Sequence, residues 1–229
     1  MEDMSQKIKI IYEDNHLLVV EKPINVPVQE DQSKDADLLN QLKDYLKRKY
    51  HKPGNVYLGL VHRLDRPVGG IMVFAKTSKA ASRLSEQVRT HQFQKEYVAV
   101  VMGKIEASGH LEDHLIKDQK KNIVRVDPSG KQAVLDFRRL SYKDQMSLVL
   151  IHLKTGRSHQ IRVQFSYHGY PLYGDQKYGR DSKVGEQIAL FAKSITFIHP
   201  TTKEKLTFSL PIPKTKPWNL FSDIDCDIM

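Results

Sequence analysis

The chain is poor in cysteine, with Cys226 the one thiol among 229 residues. That excludes an internal disulfide and favours a reducing compartment. Nowhere do apolar residues run for the roughly 20 positions that a bilayer-crossing helix requires, so no membrane association is expected. The opening Met1-Glu2-Asp3-Met4-Ser5-Gln6-Lys7 lacks the basic and then apolar signature of a secretory leader, and these absences together point to a cytoplasmic protein. His152, His159 and His168 share no metal-ligand spacing and the thiol sits in the tail, so no metal site is expected. Gly130-Lys131 lacks the upstream glycine and the following Ser or Thr of a phosphate loop. With no motif for a metal, nucleotide or redox cofactor, no cofactor is expected.

Negative charge is in deficit. Lys and Arg outnumber Asp and Glu by 36 to 27, giving a net charge of +9 and a pI near 9.4. A polyanion is the natural partner, the bland alternative being a basic protein whose charges are scattered and serve only solubility. With 40% hydrophobic and 28% charged residues the composition is that of an ordinary globular domain. No internal repeat and no dividing linker are visible, so residues 1–229 read as one domain, its core spanning Ile8 to Pro213 and followed by a short acidic tail.

Ile8 to Tyr12 and Leu17 to Val20 read as strands joined by a turn, and Lys22 to Asp37 as a loop. Leu38, Leu39, Leu42, Tyr45 and Leu46 recur at helical spacing, with Asp37 as a candidate N-cap and an end near Lys52-Pro53-Gly54. The basic residues of that helix, Lys43, Lys47, Arg48 and Lys49, read as a solvated face. A second helix, capped by Thr77 or Ser78, buries Ala80, Ala81, Leu84 and Val88. Strands are expected at Lys95 to Val101, His110 to Ile116, Asn122 to Val126, Gln132 to Leu140, Met146 to His152, Ile188 to Ile198 and Lys205 to Leu210. Few helices and many strands without βα alternation make an α+β fold on a mixed, mainly antiparallel sheet with flanking helices.

Two stretches carry the chemistry. In Val61-His62-Arg63-Leu64-Asp65-Arg66-Pro67-Val68-Gly69-Gly70, Asp65 lies between two guanidiniums, on the connection between an expected strand at Val56 to Val61 and another at Gly70 to Lys76. Flanking Arg63 and Arg66 favour an anionic Asp65, a usable nucleophile if shielded from water; a surface turn with solvated charges fits the local sequence equally well. In Thr155-Gly156-Arg157-Ser158-His159-Gln160-Ile161-Arg162-Val163-Gln164-Phe165, the apolar positions suit either a strand or a helix. Downstream, His168 to Gly179 interleaves tyrosines with glycines, which suits a base-stacking surface or a packed loop. Tyr97, inside a mostly apolar strand, reads by itself as core.

Taken together, the Asp65 loop, Lys95-Glu96-Tyr97, Gly156 to Arg162 and Gly169-Tyr170-Pro171-Leu172-Tyr173-Gly174-Asp175 closely resemble the RluA family of RNA pseudouridine synthases, in the family's order and across nearly the whole chain. The resemblance implies the pseudouridine synthase fold, with a central RNA-binding cleft, and an isomerase that converts specific uridines of 23S rRNA or tRNA. It implies Asp65 as the catalytic aspartate, Tyr97 as the ring against the target uracil and Arg162 as the basic partner of Asp65, with the segment around Arg162 a helix. Arg63 would enter the space vacated by the flipped nucleotide, and His62, Arg66, Arg157, His159 and Gln160 are further candidates for RNA contact. A monomer is expected. Val68-Gly69-Gly70 stands where the family has Thr-Ser-Gly, removing hydroxyls that would brace the loop. The chain also begins almost directly with its first strand, without the N-terminal S4 domain of several relatives, so RNA grip is expected from the catalytic domain itself. The alternative reading is a noncatalytic RNA-binding protein on the same scaffold, and a third is an enzyme that releases the free base.

Overall fold

A computed structural model describes residues 8–179 and 182–224; Cys226 and residues 1–7 lie outside them. In chain order the elements are β1 (Lys9–Glu13), β2 (Leu17–Lys22), α1 (Leu38–Lys49), β3 (Gly59–Leu60), β4 (Gly69–Ala75), α2 (Ser78–Arg89), β5 (Gln94–Met102), β6 (Ser108–Asp118), β7 (Ile123–Val126), β8 (Lys131–Lys143), β9 (Met146–Leu153), α3 (Gln160–Tyr167), β10 (Leu190–Ile198) and β11 (Lys205–Ser209), followed by a 3-10 turn at Trp218–Phe221. Strands dominate and helices are few, as expected of an α+β chain. The described residues form two compact units, one of those in 8–93 and 194–210, the other of those in 94–193 and 211–224.

In the first unit β2 pairs antiparallel with β1 on one side and β4 on the other, while the last residues of β10 pair with β11. All of β4 is buried, the pattern of a strand covered on both faces, and its apolar run Ile71-Met72-Val73-Phe74-Ala75 supplies that interior. α1 starts where Asp37 accepts the Asn40 N–H at 3.0 Å, and α2 where Thr77 accepts that of Ala80. Val88 is only half-buried on α2 and Gln87 is buried instead, its amide clasping both backbone groups of Ile198 at 2.8 Å. The strand expected at Val56 to Val61 shrinks to Gly59–Leu60 against Ala75 and Phe74. Beyond it, the Nε2 of His62 accepts the Val73 N–H at 3.1 Å, doing with a side chain what another strand residue would have done with its carbonyl.

The second unit is an antiparallel set in the order β5-β9-β8-β6-β7. β6 alternates in period two, with Leu111, Asp113 and Leu115 buried while His110, Glu112 and His114 face out. α3 lies over the far end of this sheet, where Val163 packs with Leu115, Val124 and Ala133, and Tyr178 closes the cluster. The segment around Arg162 is therefore a helix, as the family resemblance implied.

Candidate active site

In the first unit, Asp65 heads a tight turn in which the Val68 N–H donates to the Asp65 carbonyl at 2.9 Å. Leu64 and Val68 are buried on either side, so the half-exposed Asp65 is held from below by apolar anchors. The loop is braced from an unexpected quarter. The Nζ of Lys22, a residue only 1% exposed, donates to the carbonyls of Pro23 (2.8 Å), Arg66 (3.0 Å) and Val68 (2.8 Å). These three acceptors match the three N–H groups of an ammonium. A buried cation thus holds the backbone of the loop that carries Val68-Gly69-Gly70.

The register explains how Lys22 reaches there. It pairs across the sheet with Gly70, which has φ near +124°, a conformation that favours glycine. Burial pushes the Lys22 ammonium down to about 7, with the negative charge of Asp65 pulling up and Arg66 pushing down. Sequence reasoning misses this residue. The available signal was a lysine closing the apolar run Leu17 to Val20 immediately before Pro23.

Arg66 is tied into the fold. Its guanidinium pairs with Asp35 and donates to Ser33 Oγ (3.0 Å) and the Asn25 carbonyl (3.2 Å), tying the Lys22 to Asp37 loop to the Asp65 turn. Its charge meets local carboxylates, which makes it a structural tie between the two segments. His62, likewise expected on RNA, has its Nε2 committed to Val73 and its ring 5.3 Å from Phe93. Arg63 is exposed, as an RNA-directed side chain must be.

In the second unit Tyr97 is buried in β5 opposite Ile151. Two residues before it, Lys95 lies with its Nζ 3.2 Å from where a Cβ on Gly156 would sit, and burial pushes its ammonium down. The start of β5 therefore abuts the turn leading into α3. Arg162, in the first turn of α3, is held by Asp175 in a two-pronged pair, Nε to Oδ2 at 2.8 Å and Nη2 to Oδ1 at 2.7 Å. The side chains are 8% and 1% exposed, so this is a buried pair that breaks at a cost of about 3–5 kcal/mol if one partner is removed. Asp175 also caps the next turn, accepting from the N–H groups of Lys177 and Tyr178, and the Arg162 guanidinium lies 5.2 Å from the centre of the Tyr178 ring.

The other candidates at the head of α3 divide. Arg157 is exposed, its Nε on the Gln132 carbonyl at 2.8 Å. His159 adopts φ near +52° at the helix start, with Nδ1 2.6 Å from the Tyr178 hydroxyl. Gln160, expected on RNA, is 3% exposed: its Oε1 accepts from Thr155 Oγ1 and the Arg157 N–H, and its Nε2 donates to Val134 and Gln164. It is a brace for the turn, because every hydrogen-bonding position of its amide is taken within the fold. Asp175 and Tyr178, which organise this end of the unit, fall in the tyrosine-glycine stretch singled out in the sequence, but sequence reasoning assigned neither a role.

Residues 16–167 match the family model described as RNA pseudouridylate synthase. The chain belongs to the RNA pseudouridylate synthase family. Among characterised relatives it is 34% identical over 221 residues to the ribosomal large subunit pseudouridine synthase D of Zymomonas mobilis, covering 90% of this chain and 70% of that one. It is 35% identical over 211 residues to the ribosomal large subunit pseudouridine synthase C of Vibrio cholerae, covering 89% of this chain and 65% of that one. This synthase thus spans about two thirds of the length of such relatives. Human RNA pseudouridylate synthase domain containing 4 shares its fold at a TM-score of 0.76, with 22% identity, over 90% of this chain and 89% of that one. The resemblance read from the motifs is therefore borne out, and with it the class of reaction: an isomerase acting on uridine in RNA.

Proposed function

We propose that this synthase isomerises uridine in large-subunit ribosomal RNA, with Asp65 as the catalytic carboxylate, Tyr97 as the ring that retains the uracil and Arg162 as the cation that answers the charge of Asp65. The names of its relatives support the ribosomal substrate over transfer RNA. The observation that carries the assignment of Asp65 is its setting: a half-exposed carboxylate at the head of a turn whose backbone is held by a buried ammonium and two apolar anchors.

Isomerisation breaks the bond from C1′ to N1 and joins C1′ to C5; N1 gains a proton and C5 loses one, so no redox partner is needed. The carboxylate either attacks the anomeric carbon or promotes elimination across the sugar, roles that carboxylates also take in glycoside chemistry. The detached uracil must turn without escaping, which calls for an apolar, aromatic wall. A helical uridine must first be flipped out at a cost of a few kcal/mol, part of which Arg63 offsets by entering the gap. We further propose that the protein acts as a monomer in the cytoplasm.

Asp65→Asn is the test. RNA binding is expected to survive, because phosphate contacts carry it, while pseudouridine formation on ribosomal RNA falls below detection. Unchanged modification would reject Asp65. Absence of any modification by the wild-type chain would favour a noncatalytic RNA-binding protein, and release of free uracil a base-excising one.

A further inference from the structure

The C-terminal end of α1 gathers positive charge around an exposed aromatic ring. Lys47, Arg48, Lys49, His51 and Lys52 are all exposed, and Tyr50 between them is 45% exposed. The Tyr50 ring is not loose. Its hydroxyl donates to Glu13 at 2.6 Å, and the ammonium groups of Lys76, Lys49 and Lys52 lie 4.8, 5.5 and 5.7 Å from its centre. Glu13 is fully engaged from within the cluster, taking Lys49 and the Tyr45 hydroxyl on one oxygen and Lys76 and Tyr50 on the other. Among the described residues Lys47, Arg48 and Lys52 pair with no carboxylate.

Helix stability does not call for this arrangement. A helix C-terminus gains from a cation in its last turn, but here Lys47, Arg48 and Lys49 follow one another, and Lys43 sits one turn before Lys47, where like charges repel. The helix also stops on a residue that makes stopping costly. His51 has φ near +49°, closing the end with Lys52 N–H to the Lys47 carbonyl and His51 N–H to that of Arg48, a place where glycine is favoured. A strained non-glycine residue in a patch of unpaired cations is the combination expected where the surface, and not the helix, sets the sequence.

We propose that this end of α1 is a second RNA-contact surface, in which Lys47, Arg48 and Lys52, arrayed beside the anchored Tyr50 ring, grip backbone phosphates of the substrate RNA. The proposal rests on the reading that the chain acts on RNA, and it commits the patch to a sequence-independent role, since ammonium and guanidinium groups on phosphates carry no base information. It also revises the expectation that these cations form a solvated face.

The test compares two triple variants of equal net charge, Lys47→Gln/Arg48→Gln/Lys52→Gln at the patch and Lys203→Gln/Lys205→Gln/Lys214→Gln elsewhere on the surface, each checked for wild-type thermal unfolding. The probe is a fluorescently labelled 12-base-pair RNA hairpin, titrated at several salt concentrations. The patch variant is expected to raise Kd at least about tenfold near 0.1 M salt and to lower the slope of log Kd against log salt by about 2 to 3, the contribution of three phosphate contacts. The control variant is expected to stay within about threefold of wild type. Arg48→Glu alone gives a second reading, with about fivefold weakening expected from one lost contact. Equal weakening in both triple variants, or none in either, overturns the proposal, as does an unchanged hairpin Kd in the patch variant because the cations serve an acidic protein. Because hairpin binding is read without isomerisation, a wild-type chain that modifies no RNA would sink the functional reading and leave this comparison intact.

Discussion

At Lys22 burial and charge oppose one another, and the balance has a consequence for pH. The folded protein holds this ammonium at about 7, well below the 10.5 of a free lysine, because burial penalises the charge more than Asp65 supports it. Between those values the unfolded chain binds a proton that the folded chain resists, so stability rises with pH from about 7 towards 10.5. Lys22→Met removes that dependence: the wild-type gain across the window, on the order of a few kcal/mol, is expected to flatten when urea unfolding is compared at the two ends. The same substitution releases the carbonyls of Arg66 and Val68. Pseudouridine formation is expected to drop at least about tenfold with RNA affinity little changed, because a turn that positions a carboxylate is sensitive to shifts of about 1 Å. A variant with wild-type turnover would show that the brace is not needed for the chemistry. Arg66 carries the complementary lesson: a guanidinium next to Asp65 in sequence is bound to Asp35 in space, since a turn sends neighbouring side chains in different directions.

At the scale of elements, α3 and the segment that follows it act as one device. Arg162 projects from the helix, Asp175 locks it, and Gly174 makes the approach possible. With φ near +70° and a would-be Cβ only 2.3 Å from the Gln187 carbonyl oxygen, position 174 tolerates no side chain. Gly174→Ala is expected to destabilise the protein by about 3 kcal/mol or more, from backbone strain and backbone overlap together, and to reduce activity further by dislodging Asp175. Urea unfolding and single-turnover modification measure the two effects separately. Most elements here were legible as patterns: α1, α2 and the alternation of β6 follow from spacing alone. β3 was read too long, as Val56 to Val61, because beyond Leu60 His62 satisfies Val73 from a side chain, and backbone pairing by a side chain leaves no period in the sequence.

For the molecule as a whole, a net charge of +9 makes salt the governing variable of RNA affinity. Kd values for unrelated RNA hairpins are expected to lie close together and to weaken about a hundredfold or more between 50 and 200 mM salt; a flat response would mean the charges are scattered and neutralised locally. Composition, strand and helix patterns, and the order of the motifs were enough to place the chain in its family, to single out Asp65 and to forecast the α+β fold, because these depend on residue type and spacing. Tertiary structure alone decided which polar groups were already engaged. Gln160, His62 and Arg66 turned out to hold partners within the fold, while Lys22 and Asp175 emerged as the residues that hold the Asp65 turn and Arg162 in place. The reason is physical: a buried polar group must find its partner within the fold, and that partner sits 46 residues away for Lys22 and 13 for Arg162.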